Sequence, residues 1–355
     1  MSVKFYLLCL AVLVSACVPS PQLPQSRAPV FIPARPVPRP IIKQDRSTPP
    51  QLLFASLKAV VQGFDGQIGV AVMRVGDGWL FSYRADQFAP QQSVSKLWVA
   101  LSVFDAIDSG RLSLATPVTI TRSDLTLFHQ PVAQLVGPQG YQTNVSELLL
   151  RAMTQSDNTA NDSLLRSVGG PEAVRAVLIK KGLSEIRFGD GERTLQSKTA
   201  GLKWRQDYSI GNSFYLVRDK LPFEIRQKAL ADYLENLPDG ATPQGIVRAL
   251  DRLKRGLLLS ANSTRLLLSL MNEAKTGKQR IAGGVPQGWS YGHKTGTGQE
   301  LRGLSTGYND VGIMTAPDGT SYAVAVMIAS TRRPIPERQA VMQGISATIA
   351  AQHRQ

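Results

Sequence analysis

Cysteine is nearly absent from this chain. Of 355 residues only two are cysteines, Cys9 and Cys17, and both lie in the first 17 residues. A disulfide framework therefore cannot hold the remainder together. Histidine is almost as rare, and the three copies show no metal-ligand spacing: His129, His293 and His353. We expect no metal site and no other cofactor.

Long apolar runs are also missing. The longest at the N-terminus, Phe5 to Val14, is too short for a permanent bilayer span but suits a secretory signal over residues 1–16. The sequence Val14-Ser15-Ala16-Cys17 resembles the lipobox of bacterial lipoproteins, which implies a lipidated Cys17 at the mature N-terminus, although cleavage after an ordinary signal stays open. Val18 in place of aspartate favours the outer membrane, by similarity to such lipoproteins.

Acidic residues are outnumbered by basic ones, 26 to 40, for a formal net charge of +14. No zinc spacing, RNP-like segment or basic helix accompanies this excess, so we expect no nucleic-acid partner. Scattered lysines and arginines indicate a solvated basic face beside an anionic cell envelope.

Proline is concentrated near the start of the chain, where ten prolines fall between Val18 and Pro50. Residues 17–50 are therefore expected to form an extended linker. Hydrophobic periodicity begins at about Leu52, and 43% apolar residues allow a large core over residues 51–355, which we predict to be one catalytic domain.

The order of periodic segments in that domain predicts the fold. A helix from Leu52 precedes two alternating strands, helical patterns dominate from Ser93 to about Ala274, and strands return before a final helix, Ile335–Ala351. We predict an α/β (α+β) architecture: an antiparallel sheet built from both chain ends, flanked by the terminal helices, with an all-helical subdomain inserted at about residues 96–280.

A serine and a lysine lie three residues apart in Ser93-Val94-Ser95-Lys96, at a predicted helix start. Residues i and i+3 share a helix face, so the Lys96 amine can reach the Ser93 oxygen and accept its proton. Alone, an S-x-x-K pattern is also met by an N-cap serine followed by a surface lysine.

Two further triplets follow, Ser156-Asp157-Asn158 and Lys294-Thr295-Gly296. Lys275-Thr276-Gly277 also spells K-T-G, but it closes a helical run, where the glycine is expected as a C-cap. The later copy follows an aromatic, strand-like stretch and is therefore the one we assign to a cleft.

In this order the three motifs resemble those of the penicillin-recognising serine hydrolases, most closely the class A β-lactamases. The resemblance runs from about Leu52 to the C-terminus. It implies that Ser93 attacks the substrate, Lys96 acts as base or proton relay, and Ser156 protonates the leaving nitrogen. Asp157 is expected to brace its own turn.

The resemblance also implies the binding groups. Asn158 would hold the substrate amide, Lys294 and Thr295 of the Lys294-Thr295-Gly296 triplet would recognise a carboxylate, and the N–H groups of Ser93 and Thr297 would form the oxyanion hole. Arg302 and Arg332 are candidates for further carboxylate binding or are surface charges. Phe128 is expected at the cleft mouth or in the core.

One departure concerns the base for deacylation. Class A enzymes carry a glutamate in an E-x-x-L-N loop, and Leu195-Gln196 is similar to its last two residues. We expect the glutamate position to fall on Arg193 or Thr194, so that Glu192 would serve as the catalytic carboxylate only in a rebuilt loop. Asp190 is the other carboxylate there.

Three functions follow. The first is a lipid-anchored, monomeric serine hydrolase on the periplasmic side of the envelope that opens β-lactams through an acyl-enzyme. The second is a D-Ala-D-Ala peptidase or slow penicillin-binding protein acting on peptidoglycan peptides, which a missing deacylation glutamate would favour. The third is a noncatalytic envelope-binding lipoprotein.

Overall fold

The computed structural model describes residues 49–353. The predicted signal segment, Cys17 and nearly all of the proline-rich linker lie outside the described residues. Within residues 49–353, no helix combines the length and the apolar character needed to cross a membrane.

Helices are the commonest regular structure in the described chain. In order, the α-helices are α1 Gln51–Gln62, α2 Lys96–Asp108, α3 Val145–Leu150, α4 Asn158–Ser167, α5 Pro171–Lys180, α6 Glu192–Thr199, α7 Ser213–Asp219, α8 Phe223–Asn236, α9 Pro243–Lys254, α10 Ala261–Asn272 and α11 Ile335–Gln352.

The strands come mainly from the two ends of this region. They are β1 Gln67–Arg74, β2 Leu80–Tyr83, β3 Ala89–Pro90, β4 Pro117–Ile120, β5 Tyr141–Asn144, β6 Gly240–Ala241, β7 Ser290–Thr297, β8 Glu300–Leu301, β9 Leu304–Ser305, β10 Tyr308–Thr315 and β11 Ser321–Ser330.

Five of these strands form one antiparallel sheet in the order β2-β1-β11-β10-β7. Side chains of β1 alternate between its two faces, as the strand period of two requires. Val70 and Val72 pack with Leu57 of α1 and Ile345 of α11, whereas Ala71 belongs to the core shared with the inserted helices. The prediction of an antiparallel sheet flanked by terminal helices is confirmed.

The inserted segment is not all-helical, contrary to prediction. β4 pairs with β5, and β6 pairs with β3, within or beside it. Val118, Thr119 and Ile120 are β-branched in succession, and such residues favour extended backbone over helix. Among the strands that return before the final helix, β9 pairs with β8 in a hairpin of its own before β10 begins.

Strand β7 is an edge strand of the sheet, and one of its neighbours is the 3₁₀ turn Gln92–Ser95 that leads into α2. This arrangement brings the third predicted motif beside the first, although about 200 residues separate them in the sequence.

Candidate active site

Ser93 lies in the 3₁₀ turn, and α2 begins at Lys96. The Lys96 Nζ atom donates a hydrogen bond to Ser93 Oγ at 2.9 Å. Lys96 is fully buried. The contact expected from the i, i+3 spacing is therefore present, in a site that shields the amine from bulk water.

Lys96 has a second partner, the carboxylate of Glu192, whose Oε1 accepts a hydrogen bond from Nζ. Glu192 is the first residue of α6 and is itself buried. Its backbone N–H donates to Asp162 Oδ1 at 3.1 Å, which fixes the start of the helix. An ammonium paired in this way can pass its proton to the carboxylate and then accept one from Ser93.

The expectation about the loop around Glu192 is wrong. Glu192 stands three residues before Leu195, which is the E-x-x-L spacing itself, and the carboxylate reaches Lys96 without any rebuilding. Only Gln196 departs from the motif, where asparagine is expected. Arg193 instead lies with its guanidinium carbon 5.4 Å from the Trp204 ring centroid.

Gln196 connects Glu192 to the residue before the nucleophile. Its Nε2 donates to Gln92 Oε1 at 3.0 Å and lies 3.4 Å from Glu192 Oε2. Gln92 Nε2 in turn donates to the hydroxyl of Tyr233 at 2.7 Å. Tyr233 belongs to α8, so this helix contributes to the architecture behind the nucleophile.

Gln92 has a φ of +54°, a left-handed conformation that is strained for a residue with a side chain. The Asp239 carboxylate holds it there, because Oδ2 accepts the Gln92 N–H at 2.8 Å while Oδ1 accepts the Tyr233 hydroxyl at 2.9 Å. Burial raises the pKa of Asp239 to about 6. The sequence contained no signal for this network, whose members are far apart along the chain.

Ser156 also has a left-handed backbone, with a φ of +61°, between a π-helical turn and α4. Asp157 caps α4 by accepting the Ala160 N–H at 2.9 Å, and it accepts the Val132 N–H at 2.7 Å as well. Asp157 therefore braces its own turn, as expected. Asn158 Nδ2 donates to the Leu127 carbonyl at 2.8 Å, and both Ser156 and Asn158 line the cavity described below.

Lys294 in β7 donates from Nζ to Ser156 Oγ at 2.9 Å and to the Thr295 carbonyl at 3.0 Å. It is fully buried, and burial together with repulsion from Lys96 lowers the pKa of its amine well below the ordinary lysine value. The second and third motifs thus meet through one hydrogen bond.

The earlier K-T-G copy is part of the site rather than a helix cap. Helix α10 ends at Asn272, and Gly277 follows with a φ of +74°. Thr276 Oγ1 lies 2.8 Å from Thr295 Oγ1 in a hydrogen bond, and a Cβ on Gly277 would stand 2.4 Å from Thr295 Cγ2. The later copy, Lys294-Thr295-Gly296, is the one assigned to the cleft. The earlier copy packs against it through Thr276 and Gly277.

Arg280 is a site residue that the motifs did not reveal. Its Nη1 donates to the Gly296 carbonyl at 2.9 Å, its Nη2 donates to Thr297 Oγ1 at 2.5 Å, and its guanidinium carbon lies 3.8 Å from the Tyr308 ring centroid. Nothing in the local sequence Lys278-Gln279-Arg280 marks it, because its position depends on β7.

Arg302 was predicted to bind substrate, and the structure places it elsewhere. It is exposed, does not line the cavity, and stacks on Phe223 at 3.6 Å from the ring centroid, while its carbonyl accepts from Arg332 Nη1 at 2.8 Å. The short β8–β9 hairpin carries it away from β7. The arginine beside Thr297 is Arg280.

A cavity of about 410 Å³ brings most of the predicted residues together. Phe128 lines it and also packs on Phe214, with ring centroids 5.2 Å apart. The lining residues are Ser93, Phe128, His129, Ser156, Asn158, Glu192, Gln196, Tyr215, Arg218, Thr276, Gly277, Arg280, Thr295, Thr297, Gly298 and Gln299.

This constellation can be compared with known proteins. The sequence profile of the beta-lactamase enzyme family matches residues 52–353. The chain belongs to this family. The family's class A members are the relatives that the three motifs indicated, so the resemblance is confirmed.

Two of its similar relatives come from Pseudomonas aeruginosa. The beta-lactamase VEB-1 is 24% identical over 83% of this chain and 88% of its own length. The extended-spectrum beta-lactamase PER-1 is 26% identical over 84% of this chain and 86% of its own length.

Solved structures have the same fold. A beta-lactamase from Chitinophaga pinensis aligns with a TM-score of 0.69 and 26% identity, over 84% of this chain and 99% of that chain. The TLA-3 extended-spectrum beta-lactamase aligns with a TM-score of 0.70 and 24% identity, over 85% and 98% of the two chains. The chain is an enzyme of the β-lactam-hydrolysing type.

Proposed function

We propose that this enzyme opens β-lactam amides by forming an acyl-enzyme on Ser93 and then releases the product with Glu192 as the base. The observation that carries the proposal is the position of the Lys96 amine, which contacts both Ser93 Oγ and the Glu192 carboxylate. One proton can move along this chain of three groups in either direction.

In the acylation step, Lys96 passes a proton to Glu192 and accepts the proton of Ser93 Oγ as that oxygen attacks the lactam carbonyl carbon. The negative charge that develops on the carbonyl oxygen faces the N–H groups of Ser93 and Thr297. The C–N bond then breaks, and the nitrogen takes a proton from Ser156, which Lys294 resupplies across their 2.9 Å hydrogen bond.

Substrate binding uses the two ends of the cavity. Lys294, Thr295 and Arg280 attract the ring carboxylate, because two cations and a hydroxyl converge on one region of β7. Asn158 holds the side-chain amide of the substrate. The lowered pKa of Lys294 makes its ammonium a better proton donor to Ser156.

Before deacylation, Glu192 gives the proton that it took in acylation to solvent, and Lys294 regains one from solvent. Glu192 then removes a proton from a water molecule that attacks the ester carbonyl. The bond to Ser93 Oγ breaks, and the serine recovers its proton through Lys96. The glutamate has the E-x-x-L spacing, so no missing deacylation glutamate favours a peptidase or a slow penicillin-binding protein.

We also propose where the enzyme works. Lipid on Cys17, a proline-rich linker and the signal segment before it would tether a monomeric catalytic domain on the periplasmic side of the envelope, at the outer membrane. The sequence pattern supports this location.

Incubation with benzylpenicillin tests the function directly. The unmodified enzyme is expected to release product over many turnovers, and intact-mass measurement at early times is expected to show one penicilloyl adduct. Ser93→Ala should show neither. A full adduct on the Ser93→Ala variant would reject the nucleophile, and an adduct on the unmodified enzyme that persists for hours would restore the penicillin-binding alternative.

A further inference from the structure

Gln196 and Asp239 are linked by a long segment that includes α7 and α8. This segment is tied to the loop between β4 and β5, because Gln130 Nε2 donates to the Ser209 carbonyl at 3.1 Å and Gln206 Nε2 donates to the Arg122 carbonyl at 2.9 Å. Helix α7 contributes Tyr215 and Arg218 to the lining of the cavity.

Aromatic side chains form the wall at this side. The ring of Phe128 meets Phe214 edge-on at 5.2 Å and lies 5.7 Å from Tyr215. Phe128 and Tyr215 both line the cavity, and Tyr215 is 40% exposed. A large aromatic surface left partly open beside catalytic residues can accept a planar apolar group.

Arg218 lies next to this wall and also lines the cavity. Its guanidinium carbon is 5.1 Å from the Tyr215 ring centroid, and only 16% of its side chain is exposed. Burial of a long cationic side chain with stacking on a ring restricts it to few orientations, so it presents a fixed charge.

That charge is incompletely neutralised. Arg218 Nε lies 3.3 Å from Asp219 Oδ1, and Arg226 Nη1 lies 3.5 Å from the same oxygen, so two guanidinium groups share one carboxylate that is 59% exposed. Burial and repulsion from Arg218 lower the pKa of Arg226. Glu300 borders the adjoining narrow hollow with both arginines, and it is exposed.

The orientation of a bound β-lactam follows from the proposed function, on which this inference rests. Its ring carboxylate lies at Lys294 and Arg280, and its reacting carbonyl lies at Ser93. The acylamino side chain leaves the opposite end of the bicyclic ring, where its amide meets Asn158. Asn158 donates a hydrogen bond to the carbonyl of Leu127, which directly precedes Phe128 in the chain. The acylamino side chain of the substrate is therefore directed to the aromatic wall.

We propose that Tyr215 and Arg218 form a subsite for the acylamino side chain that favours β-lactams bearing an aromatic ring with a carboxylate beside it. Tyr215 and Phe128 take the ring, and Arg218 takes the carboxylate. The residues that set this preference belong to the long segment after Gln196, not to the three motifs.

Two penicillins make a matched test, since carbenicillin differs from benzylpenicillin only by a carboxylate on the carbon that bears the phenyl ring. The measured quantity is the ratio of kcat/KM for carbenicillin to kcat/KM for benzylpenicillin. In Arg218→Gln this ratio is expected to fall about tenfold, as for loss of one partly exposed charge-assisted contact. Arg218→Lys, which keeps the charge, should retain most of the ratio.

Arg226→Gln is the matched control, because Arg226 shares Asp219 but does not line the catalytic cavity. It should leave the ratio within about twofold of the unmodified enzyme. An equal fall in both glutamine variants, or no fall in Arg218→Gln, would overturn the subsite. Circular dichroism and thermal melting confirm that each variant is folded.

The rates of adduct formation with the two penicillins, measured by intact mass, give the same ratio for the acylation step alone. Slow turnover therefore does not mask a difference between the two substrates. If the unmodified enzyme neither acylates nor hydrolyses benzylpenicillin, the proposed function fails and the subsite fails with it. If the unmodified enzyme hydrolyses benzylpenicillin and the ratio is unchanged in Arg218→Gln, only the subsite is rejected.

Discussion

Gly296 packs directly on the backbone of Gln91. A Cβ built on Gly296 would stand 2.2 Å from the Gln91 carbonyl oxygen, well inside van der Waals contact. Strand β7 can therefore lie against the turn that carries Ser93 only with glycine at this position. The glycine of the K-T-G motif acts by permitting this close approach between two backbones.

Gly296→Ala should displace β7 from the nucleophile turn and separate Thr297 from Ser93. We expect kcat/KM to fall on the order of 10²-fold, as for a shift of about 1 Å in catalytic groups. Steady-state hydrolysis of a chromogenic cephalosporin measures it. Gly63→Ala is the control, since no atom lies within 4 Å of a Cβ at that position. Parental activity in Gly296→Ala would refute the packing argument.

Glu192→Gln should slow deacylation much more than acylation, so that the acyl-enzyme accumulates, because Lys96 still contacts Ser93 Oγ for acylation whereas the deacylating water loses its base. Loss of a general base costs on the order of 10²-fold or more in the step that it serves. Time-resolved intact mass with benzylpenicillin separates the two steps.

The control for that variant is Asp190→Asn, which removes the other carboxylate of the same loop. Asp190 is half exposed and pairs with Lys198 at 3.3 Å, away from the nucleophile. The Asp190→Asn variant should hydrolyse benzylpenicillin at the parental rate. A Glu192→Gln enzyme that hydrolyses a chromogenic cephalosporin at the parental rate would make Glu192 a mere structural partner of Lys96.

Tyr233→Phe should destabilise the fold, because it leaves the buried Asp239 carboxylate and the Gln92 amide each without one partner. Removing a hydroxyl from a buried network costs about 1–3 kcal/mol in the free energy of unfolding. Urea denaturation measures it, with Tyr83→Phe on the edge strand as the comparison. Equal midpoints for the two variants would contradict the prediction.

Asp162→Asn should change how stability depends on pH. Burial and then the charge of Glu192 raise the pKa of Asp162 from 3.8 to about 6. A carboxyl with a raised pKa contributes stability that is present below the unfolded pKa and is lost as the pH rises through the folded one.

The variant cannot titrate, and its Oδ1 can still accept the Glu192 N–H. The free energy of unfolding of Asp162→Asn minus that of the unmodified enzyme should therefore increase between about pH 4 and pH 6 and then level off. The total increase is up to about 3 kcal/mol. Urea denaturation across that range measures the difference. A difference that stays constant with pH would show that Asp162 does not titrate there.

Cys17 is predicted to carry lipid in the native host, because an apolar run and small residues precede it. The measurement is fractionation of the envelope followed by mass spectrometry of the N-terminal peptide. Cys17→Ser should release the protein from the membrane fraction. A fully soluble periplasmic protein with an unmodified N-terminal peptide would refute the prediction.

Part of the site can be predicted from short stretches of sequence. The contact between Ser93 and Lys96 spans three residues in one helical turn, and Asp157 caps the helix that it precedes, so local geometry suffices to predict both. The sheet with terminal helices was predictable as well, because strand and helix periods differ and the segments with each period are long.

Other parts depend on distant residues. The sequence offered Arg302 and Arg332 as candidates for a carboxylate, whereas the packing of the loop after α10 against β7 places Arg280 at the site. Glu192 reaches Lys96 across 96 residues of sequence, and Tyr233 reaches Gln92 across 141. The E-x-x-L spacing marks Glu192, but no local pattern shows that its carboxylate contacts Lys96, and none marks Tyr233.

The sequence by itself determined the family, the three motifs and the type of chemistry, because each motif is short and its geometry is set by one turn of backbone. Only the tertiary structure decided which arginine meets β7, that the earlier Thr276-Gly277 supports Thr295, and that Arg218 faces the cavity. Those outcomes depend on how helices and strands pack, and packing is a property of surfaces that form only when the chain has folded.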